Sequence, residues 1–175
     1  MDFEKIVACI KEINFKPNIS NFNDKLIIQK VVFLLQQKGI DCKINYGLYV
    51  RGPYSPDLTH KIYEEREKFE SLKTNTKLTK PEELKIQQFN EIFTELTPGV
   101  LEIAATYAYF AFKKKETPKE ALLKVKELKG FYPESQIALG VSKAKQFLYE
   151  PTKQKLEEMK KEFNMWETAA IIDRQ

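Results

Sequence analysis

The fold is decided by the stretch KLIIQKVVFLLQQKGIDCKINYGLYVRGPYSPDLTHKIY, residues Lys25–Tyr63. Its order predicts an apolar helix, a turn, a short extended segment rich in tyrosine, and a Gly-Pro-Tyr-Ser-Pro corner that starts another helix. Apolar residues dominate from Leu26 to Leu35. A helix that is apolar on nearly every side is expected to lie inside the core.

The extended segment is the one clear β signal in the chain. Apolar side chains recur at every second position, which is the period of a half-buried strand; they are Ile44, Tyr46, Leu48 and Val50. Gly47 in the middle of this run favours a bulge or a bend. We therefore expect a small β-hairpin near residues 43–51.

The corner after this segment has a structural explanation for each residue. Gly52 and Pro53 turn the chain, and Ser55 is suited to cap the helix that follows. Pro56 suits the first helical position, and Asp57 is favoured near the positive helix end. Gly52, Pro53 and Ser55 are thus predicted to form a structural corner.

The second half of the chain is helical in pattern throughout. The run Val100–Phe112 is apolar on nearly all faces and is interrupted by Glu102, so Thr97–Phe112 is predicted to be the central helix. The fold class we expect is mainly α, a multi-helix bundle around this buried helix with one small β-hairpin. We expect residues 1–150 to form one helical domain and residues 151–175 to form a C-terminal helix that packs on the domain or on a partner.

Three features of the opening stretch occur together in a known group of proteins. They are the Lys-Leu-x-x-Gln-Lys helix at 25–30, the tyrosine-rich segment, and the Gly-Pro-Tyr-Ser corner at 52–55. In this the chain resembles the YwgA-like uncharacterised prokaryotic and phage-linked proteins, which are distantly similar to the Panacea (SocA-like) antitoxin domain. The resemblance implies a non-enzymatic protein-interaction module, antitoxin-like or regulatory, that neutralises or controls a protein partner.

The contact surface of such a module is predicted around the hairpin. Aromatic and basic side chains cluster there, and such a cluster can grip a peptide or stack bases; they are Tyr46, Tyr49, Arg51 and Tyr54. Strand alternation aims Arg51 outward beside Tyr49. The competing interpretation is that Tyr46 and Tyr54 fill the core and only their hydroxyls reach outward.

A nucleic-acid partner is the alternative from a different functional class. Lys113 to Lys145 holds nine lysines against four glutamates, an excess of +5 in a chain of net charge +4. A local basic surface is typical of phosphate-backbone binding, although lysine-rich helices are also ordinary solvated helices. A DNA-binding regulator would use a helix-turn-helix with its turn at 130–133, and its predicted contacts are Lys119, Lys126, Lys129, Lys143 and Lys145.

No residue pattern predicts catalysis, a metal or a cofactor. His60 is the only histidine; Asp57 and Glu64 share its helical face, but such a group is typical of a solvated surface. Phosphate-binding glycine loops and nucleophile elbows are absent from the sequence. Cys9 and Cys42 are expected to be free thiols.

The C-terminal helix carries a short apolar seam that includes Leu156, Met159, Phe163 and Trp166. It is expected to pack on its own domain; the alternative is a homodimer contact or a helix offered to a partner's groove. Asp2 and Glu4 do not fit a signal peptide, and Val100–Phe112 is too short to span a bilayer. We therefore expect a cytoplasmic protein with no membrane partner.

Overall fold

A computed structural model describes residues 1–150, which fold into eight α-helices and one two-stranded hairpin. The elements in chain order are α1 Phe3–Glu12, α2 Phe22–Gln37, β1 Gly47–Tyr49, β2 Gly52–Tyr54, α3 Pro56–Glu64, α4 Arg66–Glu70, α5 Lys80–Ile92, α6 Pro98–Ala108, α7 Pro118–Lys129 and α8 Glu134–Leu148. A π-helical turn, Tyr109–Lys113, extends α6. The prediction of a mainly helical fold with one small hairpin is confirmed. The predicted C-terminal helix and its seam lie outside the described residues.

The helix α6 is the centre of the fold, as its sequence predicts. Every residue from Val100 to Ala108 is buried, and α6 contacts α2, α7, α8 and the strand β2. Glu102 and Thr106 are the polar members of this buried run. Among the described residues, no helix is both long enough and apolar enough to cross a membrane.

The ends of the helices follow local rules that can be seen in the sequence. The side chain of Ser55 accepts a hydrogen bond from the backbone N–H of Leu58, and Pro56 occupies the first turn of α3. Thr117 and Glu120 form a capping box at the start of α7. Gly39, just after α2, has a φ of +93°, the left-handed conformation typical of a residue that ends a helix.

The hairpin begins four residues later and ends three residues later than the predicted range of 43–51. Gly47–Tyr49 pairs antiparallel with Gly52–Tyr54, and the tip is formed by Val50 and Arg51. Val50, expected to face inward, is 91% exposed at this tip. The prediction treats residues up to Arg51 as one extended run, but the chain reverses direction at Val50 and Arg51. Gly52, which follows this turn, has a φ of +80°, a conformation that glycine adopts readily.

Residues before the hairpin keep the alternating burial without forming a strand. Ile44 and Tyr46 are buried, but their segment has no strand beside it. The side-chain amide of Gln36 substitutes for one: its Nε2 donates to the carbonyl of Ile44 at 2.8 Å, and its Oε1 accepts from the Ile44 N–H at 3.1 Å. The alternation of apolar residues therefore correctly predicts which side chains of this segment are buried. It does not predict backbone pairing, because a side-chain amide satisfies the backbone instead of a neighbouring strand.

Gly52 has a backbone conformation and a tight packing that only glycine adopts without strain. Its φ is +80°, and a Cβ placed there would lie 2.6 Å from Oγ1 of Thr106 on α6. That hydroxyl is already committed to the carbonyl of Glu102, at 2.7 Å. A side chain at position 52 would therefore combine backbone strain with a clash against the central helix.

We expect Gly52→Val to lower the free energy of unfolding by about 2–3 kcal/mol, because strain and overlap act together. Chemical denaturation monitored by circular dichroism measures the change. Gly39→Val is the matched control: Gly39 also has a positive φ, +93°, but a Cβ there meets only the flexible end of Lys85, so its loss of stability should be smaller. Equal stability of Gly52→Val and the native protein would show that the corner tolerates a side chain.

Candidate binding cleft at the hairpin

A cavity of about 430 Å³ lies between the start of α2, the hairpin and α3. We call it the hairpin cleft. Its lining residues are Phe22, Lys25, Leu26, Gln29, Lys30, Tyr49, Val50, Arg51, Tyr54, Thr59 and Tyr63. The volume falls within the range of ligand-binding sites in proteins, about 300–1,000 Å³.

Large apolar side chains rim the cleft and stay in solvent. Phe22 is 59% exposed, Tyr49 52% and Tyr63 48%, beside the exposed Val50 of the hairpin tip. The rings of Tyr49 and Tyr54 meet edge to face with their centroids 5.2 Å apart. A contiguous exposed apolar surface around a cavity is typical of an interaction site rather than of inert surface.

Three basic side chains contribute the charge of the cleft, and its lining contains no carboxylate. Nζ of Lys25 lies 2.9 Å from the hydroxyl of Tyr63. The guanidinium of Arg51 lies 5.8 Å from the centroid of the Phe22 ring, within cation–π range. The third basic residue, Lys30, lies on the inner wall. The cleft therefore offers positive charge between aromatic surfaces.

Lys30 is a buried amine with unusual surroundings. The residue is 1% exposed, and its Nζ donates to the carbonyl of Pro53 at 2.6 Å. Burial lowers the pKa of the Lys30 ammonium to about 7; Glu102 opposes this shift, and the positive charges of Lys129 and Arg51 reinforce it. Near neutral pH, Lys30 is therefore divided between its charged and its neutral form.

The backbone under the cleft is held by side chains from α2. The amide of Gln29 accepts from the N–H of Ser55 at 3.0 Å and donates to the Ser55 carbonyl at 3.0 Å and to Oγ1 of Thr59 at 2.9 Å. Together with the bond from Lys30 to Pro53, this fixes the chain between the hairpin and α3. The corner is thus rigid on its inner side, which favours a preformed site.

A buried ion pair holds the hairpin tip. Nζ of Lys129 on α7 lies 2.7 Å from Oε1 of Glu102 and donates to the carbonyl of Val50 at 2.7 Å. Both side chains of the pair are 1% exposed. Oε2 of Glu102 lies 3.5 Å from Nη1 of Arg51 but makes no hydrogen bond within residues 1–150.

The structure brings together three of the four predicted contact residues. Tyr49, Arg51 and Tyr54 all line the hairpin cleft. The prediction for Tyr46 is wrong: it is 4% exposed, and its ring packs edge to face on Phe33 at 5.0 Å. The competing interpretation is correct that Tyr46 fills the core, but its hydroxyl is buried as well and makes no hydrogen bond within residues 1–150.

The five predicted nucleic-acid contacts do not form one surface. The prediction is wrong for Lys129, because its buried ammonium is paired with Glu102. Lys143 is half-buried and donates to the carbonyl of Ile92, and Lys145 is half-buried with its Nζ 5.6 Å from the Tyr107 ring centroid. Lys119 and Lys126 are exposed on α7.

The remaining reactive residues lie away from the cleft or outside its lining. Nε2 of His60 is 3.1 Å from Oε1 of Glu64 on the surface of α3. In the described part of the chain, no group of three or more His, Cys, Asp or Glu side chains is placed to hold a metal ion. Cys9 and Cys42 are free and buried; a hydrogen bond to Cys42, together with burial, raises the pKa of the Cys9 thiol and so keeps it protonated.

Four polar residues that organise the cleft were not predicted. Gln29, Lys30, Glu102 and Lys129 all support the hairpin backbone or its ion pair. For Gln29, Lys30 and Glu102 the signal was present, because a charged or amide side chain inside an otherwise buried helix needs a buried partner, whereas Lys129 lies on the mostly exposed α7. The sequence could have marked those three positions as buried, but it could not have said which partner each one meets.

We expect Glu102→Gln to lower the free energy of unfolding by about 3 kcal/mol or more, because it leaves the Lys129 ammonium buried without its counter-charge. Arg51→Ala is the comparison, since Arg51 is more than half exposed and its loss should cost less than about 1 kcal/mol. Urea denaturation of both variants measures the difference. Equal losses would contradict the central place of the Lys129–Glu102 pair.

We also expect the titration of Lys30 to make stability depend on pH. The folded protein releases this proton near pH 7, whereas the unfolded chain holds it up to the ordinary value of 10.5. Stability therefore rises with pH between these values, by about 2 kcal/mol from pH 7 to pH 9. The measurement is the unfolding free energy of the native protein minus that of Lys30→Met at each pH; a difference independent of pH would contradict the assignment.

Comparisons of the chain with protein-family models, with curated proteins and with solved structures find no match. The resemblance to the YwgA-like proteins stays a prediction that rests on the residues quoted for it. A role for the hairpin cleft therefore has to follow from its own side chains, which combine three basic groups with four aromatic rings.

Proposed function

We propose that this protein is a non-enzymatic interaction module that binds a protein partner through the hairpin cleft. The observation that carries the proposal is the exposure of Phe22, Tyr49, Val50 and Tyr63 around one preformed cavity. Aromatic and arginine side chains supply most of the binding energy in protein interfaces. Arg51, at the rim, adds a side chain of that kind.

The rigidity of the cleft supports binding further. Residues 50, 53 and 55 are fixed by hydrogen bonds from Lys129, Lys30 and Gln29, so the hairpin loses little freedom when a partner arrives. Preorganisation raises affinity because less conformational entropy is lost on association. Tyrosine has few rotatable bonds, and the edge-to-face contact of Tyr49 with Tyr54 restrains both rings.

The resemblance to the YwgA-like proteins and the Panacea domain suggests which biological role the binding would serve. It supports an antitoxin-like or regulatory role, in which the bound partner is neutralised or controlled. The residues of the corner, Gly52 to Ser55, are the most specific part of that resemblance, and one of them, Tyr54, lines the hairpin cleft. A partner seated in the cleft would contact the segment that carries the likeness.

Two double variants separate this proposal from nucleic-acid binding. We expect Tyr49→Ala with Arg51→Ala to weaken partner binding by about 2 kcal/mol or more, the scale of an aromatic–arginine hot spot. Lys119→Ala with Lys126→Ala, two exposed lysines away from the cleft, is the matched control and should leave binding unchanged. Affinity capture from host extract, followed by titration of the purified partner, measures both.

The salt dependence of the same titrations gives an independent readout. Binding through aromatic side chains should change little with salt, whereas contacts to phosphates weaken steeply as salt rises. Circular dichroism confirms that each variant is folded. Loss of binding only in the lysine variant, with nuclease-sensitive capture and a steep salt slope, would replace this proposal with a nucleic-acid-binding regulator.

A further inference from the structure

We infer that the hairpin cleft recognises an acidic side chain of the partner, a glutamate or aspartate next to an apolar residue, whose carboxylate is received by the ammonium of Lys30. This inference rests on the proposed function and specifies the chemistry of the partner. It follows from the balance of charge around α6, the unused donors of Lys30 and the walls of the cleft.

The charge around α6 is not balanced within residues 1–150. Three basic side chains, Lys30, Lys129 and Arg51, surround the carboxylate of Glu102. One oxygen of that carboxylate is taken by Lys129 at 2.7 Å, and the other lies 3.5 Å from Arg51. Lys30 is therefore left without a carboxylate at ion-pair distance in this part of the chain.

Lys30 also has donors to spare. An ammonium group carries three N–H donors, and in the described residues only the carbonyl of Pro53 accepts one of them. The residue is 1% exposed and forms part of the cleft lining, so the cleft is the side from which an anion can approach its ammonium once the side chains over it move aside. A buried cation with unused donors at the wall of a cavity is complementary to an anion that enters the cavity.

The walls of the cleft narrow the choice of anion. Phe22, Leu26 and Tyr54 line the same cavity and would pack against an apolar neighbour of the carboxylate. An acidic residue in a protein segment can have such a neighbour. A phosphate in a nucleic-acid strand is flanked by further phosphates, whose desolvation against aromatic walls is costly. The cleft therefore fits an acidic–apolar peptide segment better than a phosphodiester chain.

Proton linkage gives this inference a distinctive signature. A bound carboxylate stabilises the charged form of Lys30, so binding takes up a proton when the free site is neutral. Affinity for the acidic segment should be greatest below pH 7 and should fall, by at most tenfold per pH unit, as pH rises above 7. Glu102, Lys129, Arg51 and Lys25 are the charged groups near Lys30, and all four remain in a Lys30→Met variant, so the difference between the two proteins isolates Lys30.

The test uses the full chain and three synthetic pentapeptides, measured by isothermal titration at pH 6.5, 8 and 9. The first peptide has blocked ends and a glutamate beside a phenylalanine; the second replaces glutamate with glutamine; the third is the glutamine peptide with a free C-terminal carboxylate. At pH 6.5 we expect the glutamate peptide to bind at least tenfold more tightly than either glutamine peptide. The advantage should shrink as pH rises.

Variants assign the effect to Lys30. Lys30→Met should lose most of the preference for glutamate and its dependence on pH, and the control Lys126→Met, an exposed lysine on α7, should behave as the native protein. If Lys30→Met does not fold, the native protein's preference for glutamate and its pH dependence still decide the matter. Lys25→Met then reports how much of the preference comes from the outer lysine.

Several outcomes would overturn the inference. Equal binding of the glutamate and glutamine peptides would show that the cleft has no anion site. A preference for the peptide with a free C-terminal carboxylate would show that the site recognises a chain terminus and not an acidic side chain. Stronger competition by a short oligonucleotide than by the glutamate peptide would assign the cleft to phosphates. If the peptides do not discriminate while Tyr49→Ala with Arg51→Ala still loses the captured partner, this inference fails and the proposed function stands. If the peptides discriminate but the double variant still binds the captured partner, the proposed function is rejected, and Lys30 is a carboxylate site that this partner does not use.

Discussion

The carboxylate of Glu102, buried at the centre of α6, is the interaction on which the rest of the structure depends. It neutralises Lys129, which in turn holds the carbonyl of Val50 at the tip of the hairpin. A charge this deeply buried is tolerated only when it is paired and hydrogen-bonded. The central helix therefore does more than fill the core: through one ion pair it positions the surface on which the hairpin cleft is built.

The hairpin is too short to be stable alone, since a pair of three-residue strands buries little surface. Its backbone is instead held by hydrogen bonds to side chains of α2 and α7, and it packs closely against α6. Gln29 and Lys30 reach the corner from α2, Lys129 reaches the tip from α7, and Thr106 of α6 leaves room only for hydrogen at Gly52. Because these contacts stabilise the hairpin, its aromatic side chains do not have to be buried to hold it in place. They stay in solvent, where a partner can contact them.

Much of the fold could be predicted because it depends on local physics. The burial of α6, the cap at Ser55 and the turn at Gly52 each follow from residue types within one or two turns of chain. The errors have a common cause. Tyr46 and Lys129 were assigned to surfaces by residue type, but an aromatic ring can pack on Phe33 and a lysine can pair with Glu102 once distant segments meet. The predicted start of the hairpin is also wrong, because the backbone of Ile44 is hydrogen-bonded by the side chain of Gln36 and not by a neighbouring strand.

The sequence by itself determined the helical class, the position of the central helix and the corner that ends the hairpin, because periodicity, capping and glycine geometry act over short separations. Only the tertiary structure decided which charges are paired. Glu102 and Lys129 are 27 positions apart, and Lys30 and Pro53 are 23 apart. Such pairings depend on the packing of helices against one another, which residue type does not encode. For that reason the cleft, with its one buried lysine lacking a carboxylate partner in residues 1–150, is visible only in the folded chain.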